Sequence, residues 1–437
     1  MAAEEKDQGK ITPKVMIVNM FQPEADIWYR NFPSSGLGDL LTVNISVPGL
    51  SPMYPQVHCT AAGDVCQVTT GESEINAATS ITALVLGSSA QFDLRRTYFL
   101  ASGIAGVSPK LATLGGVALA GFAVQVALQY ELDARELVAE VPADAAANAN
   151  ANSNNPPDSD HPPPPGHPSP NPKLTTGYLP YGGFAPSDYP TVLYGTEVLE
   201  LNAALRDRAA DLARRAMLSD SAAVAAHRAR YASAQPAGIY AAATRPPAVH
   251  ACDVATSDVY YSGTLLSEAF ENTTRVWTNQ TQIGQPPTYC MTAQEDVAVL
   301  EALLRAHLWG LVDYTRAIVM RTGSNFDRPP PGMSAYDHLR HEDQTGFDIA
   351  IENQYRAGVE VVRGIVADWR CTYEAGVRPA NYVGDIFGSL GGTPDFGPGS
   401  MFAGRGACAD SAGGATEEAA ARSMKWRRGN AGGRRWK

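Results

Sequence analysis

The sequence predicts an α/β fold in which a mostly parallel or mixed central sheet is flanked by helices. Two observations indicate this fold class. Short continuous apolar runs are typical of strands buried on both faces, and longer segments repeat apolar residues with helical spacing. The 437 residues are 44% apolar and 18% charged, so the chain can bury a substantial core. A globally disordered or collagen-like chain is excluded by this composition.

Four apolar runs are predicted to be core strands: Lys14–Phe21, Ile81–Leu86, Thr97–Ala101 and Arg316–Arg321. Three loops follow strand ends: Phe21–Glu24, Ser102–Gly106 and Thr322–Asn325. Since α/β proteins bind ligands beyond the carboxyl ends of their strands, these loops are candidate ligand contacts. The glycine-spaced loop can present backbone N–H groups, and Asn325 offers both a donor and an acceptor to a heterocycle.

Helical periodicity predicts helices over Thr196–Met217, Val297–Trp309 and Asp348–Trp369. Residues 111–130 carry no charge and are long enough to cross a bilayer. Gly115, Gly116 and Gly121 in this stretch favour buried turns and strands over a membrane span.

The predicted domain covers residues 14–399, after a flexible N-terminus over residues 1–13. It is interrupted at residues 143–173, where nine prolines and many Asn and Ala residues predict a disordered insertion. Residues 400–437 are predicted to be a disordered basic tail. Within this tail, residues 422–437 contain seven Lys and Arg residues and no acid. Since the net charge of the whole chain is −11, residues 1–421 carry a net charge of −18. An acidic body argues against nucleic-acid partners.

The cysteines match no zinc-binding spacing, so neither a metal nor a cofactor is expected. Cys59 and Cys66 flank a short polar loop and can close a disulfide. Asn44, Asn272 and Asn279 begin glycosylation sequons. These features suit a secretory or cell-surface protein, whereas the N-terminal residues show no apolar signal region, so the compartment stays open.

Two acidic residues, Glu295 and Asp296, begin a predicted helix. With Thr292, Glu295 fits a capping box, and Asp296 fits the helix dipole. The alternative is that one of the two carboxylates binds ribose hydroxyls and stabilises positive charge that develops on the sugar.

Seven motifs, in order along the chain, resemble the purine nucleoside permease family of fungi and bacteria. They are Val18–Ala25, Ala101–Pro109, Thr176–Gly182, Asp253–Tyr261, Tyr289–Asp296, Met320–Pro329 and Asn381–Pro398. That family is similar, distantly, to the nucleoside phosphorylases and nucleosidases, which cleave N-glycosidic bonds. The resemblance implies a single three-layer α/β/α domain, purine nucleosides as ligands, and homo-oligomers.

The resemblance also implies site residues. Four of the implied nucleoside-binding residues lie in one segment: Ser102, Gly103, Ala105 and Gly106. Gln294–Asp296 resembles the segment that holds the ribose, and Ser324 and Asn325 resemble a pair that binds the purine. With Glu24, the residues Asn325, Glu295 and Asp296 are the candidate catalytic groups.

Phe21–Ala25 departs from the phosphorylase pattern, which has a glycine-rich phosphate loop with an arginine at this point. Losing the arginine removes a bidentate phosphate donor, while Glu24 adds a carboxylate that can position a water. Water is therefore favoured over phosphate as co-substrate; the alternative for Glu24 is an exposed turn residue or a helix-start acid. Three functions stay open: nucleoside binding that contributes to uptake, hydrolytic or phosphorolytic cleavage, and a non-catalytic role.

Overall fold

The computed structural model describes residues 9–133, 174, 176–278, 288–394 and 396. The predicted insertion at 143–173 and the basic tail at 400–437 lie outside the described residues, as do residues 1–8. Within the described part, the strands are β1 (Val15–Asn19), β2 (Val43–Ser46), β3 (Gln56–Cys59), β4 (Val65–Thr69), β5 (Tyr98–Val107), β6 (Val117–Leu119), β7 (Phe122–Gln125), β8 (Gln129–Glu131), β9 (Tyr178–Pro180), β10 (Val198–Glu200), β11 (Val249–Ala251), β12 (Asp253–Thr256), β13 (Tyr289–Ala293), β14 (Ala317–Phe326) and β15 (Gly384–Asp385).

The α-helices in the same residues are α1 (Gln22–Asn31), α2 (Ser73–Thr82), α3 (Ala203–Ala213), α4 (Ala222–Ala229), α5 (Thr264–Trp277), α6 (Asp296–Leu308), α7 (Ala335–Arg340) and α8 (Phe347–Ala367). None of the helices in the described ranges is both long and apolar enough to span a membrane. Helix α6 confirms the prediction for Val297–Trp309, and α8 confirms that for Asp348–Trp369.

In the described residues the central sheet is mixed and has 13 strands, and β8 and β9 form a separate antiparallel pair. Strand β5 pairs with three other strands of this sheet: it is parallel to β1 and β14 and antiparallel to β13. Side chains of β1 alternate between two cores, with Met16 and Val18 on the side of α2 and α6, and Val15 and Ile17 on the side of α1, α3 and α8. The predicted α/β class, with three layers and a mixed sheet, is confirmed.

The predicted strand at Ile81–Leu86 is wrong. This segment is the end of α2 followed by a π-helical turn over Ala83–Gly87. Ile81, Leu84 and Val85 are buried while Leu86 is 54% exposed, which is the spacing of one helix face. A short apolar run alone does not separate a buried strand from a buried helical turn.

Both loops predicted after the later strands are also wrong, because Ser102–Gly106 and Thr322–Asn325 continue β5 and β14. The backbones of these two segments pair with each other. This pairing extends β5 and β14 beyond the apolar runs Thr97–Ala101 and Arg316–Arg321 that were predicted as strands. The predicted helix at Thr196–Met217 begins only at Ala203. Asn202 caps it with a side-chain oxygen that accepts from the Leu205 N–H, and β10 precedes it.

The uncharged stretch at residues 111–130 contains β6, β7 and the start of β8, as the alternative of buried turns and strands predicts. Strand β6 pairs with β14 and β11, and β7 pairs with β12 and β10. Both strands therefore have a neighbouring strand on each side, within the central sheet. The predicted disulfide between Cys59 and Cys66 joins β3 to β4. A second disulfide, which the sequence did not predict, joins Cys252, the residue between β11 and β12, to Cys290 in β13.

Candidate functional site

Glu24 is a buried carboxyl in the first turn of α1, with 1% of its surface exposed. Its Oε2 accepts from the Met20 N–H at 2.8 Å, and its Oε1 accepts from the Ile104 N–H at 2.7 Å. Burial raises the pKa of Glu24 to about 8, although the nearby Arg321 guanidinium opposes this shift. The alternative of an exposed turn residue is wrong, since the side chain ties the end of β1 to β5.

Arg321, on β14, lies at the centre of the predicted acidic residues. Its Nε and Nη2 donate to Asp296 Oδ1 at 3.0 and 2.7 Å, and Nη2 also donates to Glu295 Oε2 at 3.0 Å. Its Nη1 donates to the Ile104 carbonyl at 3.2 Å. Asp296 is fully buried and Glu295 is 4% exposed. A buried guanidinium between two buried carboxylates meets the requirement that charge inside a protein be paired.

The segment Ser102–Gly106 of β5 touches most of the other candidates. A Cβ on Gly103 would lie 2.6 Å from both Arg321 Nη1 and Glu24 Oε1, so only glycine lets these two groups approach the strand. A Cβ on Gly106 would lie 2.7 Å from Thr292 Cγ2 and 3.4 Å from Asn325 Nδ2. Glu24, Glu295 and Asp296, gathered around Arg321, are called the acidic cluster below. Glycine at positions 103 and 106 therefore allows the acidic cluster and the purine-binding candidate Asn325 to pack against one strand.

Ser324 and Asn325 lie where the pairing of β14 with β5 shifts register, which is the signature of a β-bulge. Ser324 Oγ donates to the Ala105 carbonyl at 3.1 Å and lies 2.8 Å from Asn325 Oδ1. The Asn325 side chain is half-buried, and its Nδ2 has one long contact, 3.4 Å, to the Phe326 carbonyl. Asn325 thus keeps hydrogen-bonding capacity for a ligand.

The predicted capping box at Thr292 and Glu295 is wrong. Thr292 lies in β13, and Glu295 is itself the N-cap residue of α6 without a side-chain cap bond. Glu295 Oε1 instead accepts from the Ser73 N–H at the start of α2, at 3.0 Å. Burial, opposed by Arg321, raises the pKa of Glu295. Both Glu295 oxygens are fixed by groups from other parts of the chain.

Ser102 is held from behind by a buried polar network. Its carbonyl accepts from Asn19 Nδ2 at 2.6 Å and from Gln354 Nε2 at 3.0 Å, and Asn19 Oδ1 accepts from Gln67 Nε2 at 3.1 Å. The buried hydroxyl of Ser102 has no hydrogen-bond partner among the residues that the structure describes. These contacts fix the position of the strand segment that carries the predicted nucleoside-binding residues.

Gln294 is half-buried and sits beside the acidic cluster rather than in it. Its Nε2 donates to the Asp258 carbonyl at 3.0 Å. Asp258 Oδ1 accepts from the Glu74 N–H at 2.8 Å, and Glu74 lies in the first turn of α2. Burial, together with the charges of Asp258 and Glu295, raises the pKa of Glu74 to about 7. Five carboxyl groups therefore lie in this region of the described structure.

Sequence reasoning did not identify Arg321, Glu74 or Asp258 as site residues. For Arg321 a signal existed, since an arginine that ends an apolar strand run must find buried partners if the strand continues. No local signal exists for Glu74 and Asp258, because their proximity depends on how α2 packs against the segment that follows β12.

Two surface clefts of the described residues lie away from these groups. One, of about 310 Å³, is lined by residues that include Gln22, Asp26 and Tyr29, on the face of α1 opposite Glu24. The other, of about 420 Å³, is lined by residues that include Lys14, Arg95 and Trp369. The second cleft also has ion pairs among its lining residues, such as Arg96 with Glu374, but their side chains are largely exposed. We place the candidate site at the acidic cluster because its charged, mutually bonded groups are buried. No group of metal-ligating side chains large enough to hold an ion occurs among the described residues.

Comparisons with known proteins bear on this arrangement. The family described as purine nucleoside permease (NUP) matches residues 12–162 and 167–378. The chain is 41% identical over 388 residues to the purine nucleoside permease of Candida albicans (strain SC5314 / ATCC MYA-2876), covering 88% of this chain and 83% of that protein. It is 37% identical to the probable purine nucleoside permease C285.05 of Schizosaccharomyces pombe, covering 82% of this chain and 90% of that protein.

Similar solved structures are more distant. The 5'-methylthioadenosine/S-adenosylhomocysteine nucleosidase of Streptococcus pneumoniae with a transition-state inhibitor aligns with a TM-score of 0.41 and 13% identity, over 80% of this chain and 99% of that chain. Futalosine hydrolase of Helicobacter pylori aligns with a TM-score of 0.40 and 11% identity, over 82% and 98%. Similarity at this level assigns no role to any residue. The extent and identity of the family and permease matches establish that the chain belongs to the purine nucleoside permease family.

Proposed function

We propose that this protein binds purine nucleosides beside β5 and contributes to nucleoside uptake by binding or cleaving them. The permeases it matches at 37% to 41% identity support the ligand class. The observation that carries the proposal is the meeting of Glu24, Glu295, Asp296 and Asn325 around one strand segment and one buried arginine. Carboxylates suit sugar hydroxyls, and a side-chain amide suits the edge of a purine.

Asn325 contacts the base in this proposal, because it is half-buried and has hydrogen-bonding capacity left. Glu295 contacts the ribose in this proposal, since each of its oxygens accepts a single hydrogen bond and a carboxylate oxygen can accept two. Asp296 Oδ1 accepts two Arg321 hydrogen bonds and Oδ2 lies 3.2 Å from Arg321 Nε, so Asp296 serves to hold the arginine. A carboxylate beside the sugar would stabilise the positive charge that develops as the glycosidic bond breaks, and Asn325 would support the departing base.

Water is the proposed acceptor rather than phosphate. Arg321, the cation of the cluster, already directs Nε, Nη1 and Nη2 to protein acceptors, so an incoming phosphate would meet carboxylates before it met a free donor. Burial raises the pKa of Glu24 to about 8, so most of the carboxyl is protonated at neutral pH. Its ionised fraction, a stronger base than an ordinary carboxylate, would position or deprotonate the water, and this contribution should grow as the pH rises towards 8. Since general-base help contributes about a hundredfold to ten-thousandfold, Glu24→Gln should lower turnover within that range and leave binding nearly unchanged.

The test is chromatography of inosine, guanosine and adenosine after incubation with pure protein, with and without phosphate. We expect release of base and ribose that does not require phosphate. Strict dependence on phosphate, with ribose 1-phosphate as product, would refute hydrolysis, and no product despite binding would restrict the function to binding.

Binding is measured separately by calorimetry. Asn325→Ala removes a two-way hydrogen-bonding group and should weaken nucleoside binding by about 1 to 3 kcal/mol. Ser46→Ala, at an exposed position on the edge strand β2, is the control and should bind like the unmodified protein. Equal affinity of Asn325→Ala and the unmodified protein would remove Asn325 from the site.

A further inference from the structure

Strand β2 lies at one edge of the central sheet and contains a glycosylation sequon. In the described residues β2 pairs only with β3 and is the last strand on its side of the sheet. Asn44 and Ser46, the acceptor and the hydroxyl residue of the sequon, are both exposed. Val43 and Ile45 are half-buried and pack against the core. The acceptor amide and the hydroxyl therefore face solvent on the same side of an extended strand.

The contacts of the Asn44 side chain are compatible with an attached sugar. Its Nδ2 makes one long contact, 3.3 Å, to the Leu41 carbonyl, and its Oδ1 is hydrogen-bonded to Nδ1 of His58 on β3. N-glycosylation replaces only one of the two hydrogens on Nδ2, so the remaining hydrogen can still be donated to Leu41. Asn44 can therefore carry a glycan while keeping both contacts.

The other sequon in the described residues has different surroundings. Asn272 lies inside α5 and is half-buried, and its Nδ2 donates to the Pro186 carbonyl at 3.1 Å. Thr274, the hydroxyl residue of this sequon, is fully buried. A sugar on Asn272 Nδ2 would be directed at the segment that contains Pro186. The sequon at Asn279 lies outside the described residues.

The disulfides indicate a compartment in which N-glycans are added. Cys59 pairs with Cys66 and Cys252 pairs with Cys290, so four of the six cysteines of the chain form disulfides. Such bonds form and persist in oxidising compartments such as the lumen of the endoplasmic reticulum, and they are rare in the cytosol. This observation is independent of the sequon and of the exposure of Asn44.

We propose that Asn44 is an N-glycosylation site and that its glycan covers the exposed edge of β2. The donor is an oligosaccharide that is joined to a lipid through a diphosphate. Nδ2 of Asn44 forms a bond to C1 of the first sugar and loses one proton. The bond between C1 and the diphosphate oxygen breaks, and the lipid diphosphate leaves with that electron pair.

A glycan at this position protects the sheet edge. An edge strand presents unpaired backbone N–H and C=O groups, which can pair with a strand of another chain. A glycan is bulky and solvated, so it hinders the approach of a second strand. The modification does not depend on the proposed nucleoside-binding function.

The experiment produces the full chain in yeast, with a cleavable leader that directs it into the secretory pathway. The purified protein is treated with peptide:N-glycosidase, which leaves Asp in place of each glycosylated Asn, and its peptides are mapped by mass spectrometry. We expect Asp at position 44 and unmodified Asn at position 272 in most copies of the folded protein.

Two variants give matched controls. Ser46→Ala keeps Asn44 but removes the hydroxyl that the sequon requires, so the glycan should be lost. Thr42→Ala also removes a hydroxyl from an exposed residue two positions from Asn44, but on the other side of it, so the glycan should remain. Unmodified Asn44 in protein whose disulfides have formed, or a glycan on Asn44 that persists in Ser46→Ala, would overturn the inference.

Light scattering tests whether the glycan covers the edge. At equal concentration, Asn44→Gln should form larger assemblies than the glycosylated protein, because the edge of β2 is then open to pairing. Equal size of the two proteins would overturn the covering role.

Discussion

Glu24→Gln provides a direct test of the buried carboxyl through protein stability. The side chain is 1% exposed, and burial raises its pKa from an ordinary value of 4.5 to about 8. The unfolded chain leaves this group in water, so between pH 4.5 and 8 the folded state binds more protons than the unfolded state. The stability contributed by this protonation is complete below pH 4.5 and is lost as the pH rises through 8.

The size of the effect follows from the two pKa values. At 1.36 kcal/mol for each pKa unit, their difference sets an upper limit of about 5 kcal/mol. Arg321 and the N–H groups of Met20 and Ile104 already reduce the cost of charging Glu24, and local relaxation reduces it further. We expect the free energy of unfolding of the unmodified protein to fall by about 2 to 3.5 kcal/mol between pH 5 and 8, relative to Glu24→Gln.

The assay is urea unfolding at several pH values, with the difference between the two proteins plotted against pH. Taking a difference removes the contributions of all other titrating groups that the two proteins share. Glutamine also loses an acceptor for one backbone N–H, but this cost does not depend on pH, so the slope is the informative quantity. Glu72→Gln, which changes an exposed carboxyl, is the control. Parallel stability profiles for Glu24→Gln and the unmodified protein would refute the argument that Glu24 is buried and protonated at neutral pH.

Further predictions concern the packing around the cluster. Arg321→Met leaves the buried carboxylates of Glu295 and Asp296 without their cation, and denaturant unfolding should show that the free energy of unfolding falls by about 3 to 5 kcal/mol. A fall below about 1 kcal/mol would mean that the cluster is solvated. Gly103→Ala places a methyl group 2.6 Å from both Arg321 Nη1 and Glu24 Oε1 and should cost about 1 to 3 kcal/mol. Gly87→Ala, with its nearest neighbouring atom at 3.6 Å, should cost much less, and equal losses in the two variants would contradict the packing argument. Cys252→Ser opens a disulfide between cysteines 38 residues apart and should cost about 2 to 4 kcal/mol, while Cys371→Ser, at an exposed free thiol, should leave the melting temperature unchanged.

The sequence by itself determined the features that depend on local pattern. Strand β1 is an apolar run, which is the pattern of a strand buried on both faces. Helices α6 and α8 repeat apolar residues with helical spacing, which is the pattern of a helix buried on one face. The secondary structure of these three segments could therefore be predicted from the sequence. The disulfide between Cys59 and Cys66 was also predictable, because the two cysteines lie seven positions apart on either side of a short polar loop. Motif order along the chain indicated the family, which does not require knowledge of any contact.

Tertiary structure alone decided the rest, because it depends on partners distant in the sequence. Residues 102–106 and 322–325 look like loops, yet pairing between β5 and β14 makes them strands. Ile81–Leu86 looks like a strand, yet the core on one side makes it helical. The acidic residues at 295 and 296 fit a helix cap, but Arg321 lies 25 residues from Asp296 in the chain and Ser73 lies 222 residues from Glu295. A buried charge takes its role from whichever groups compensate it, and no local pattern records those groups.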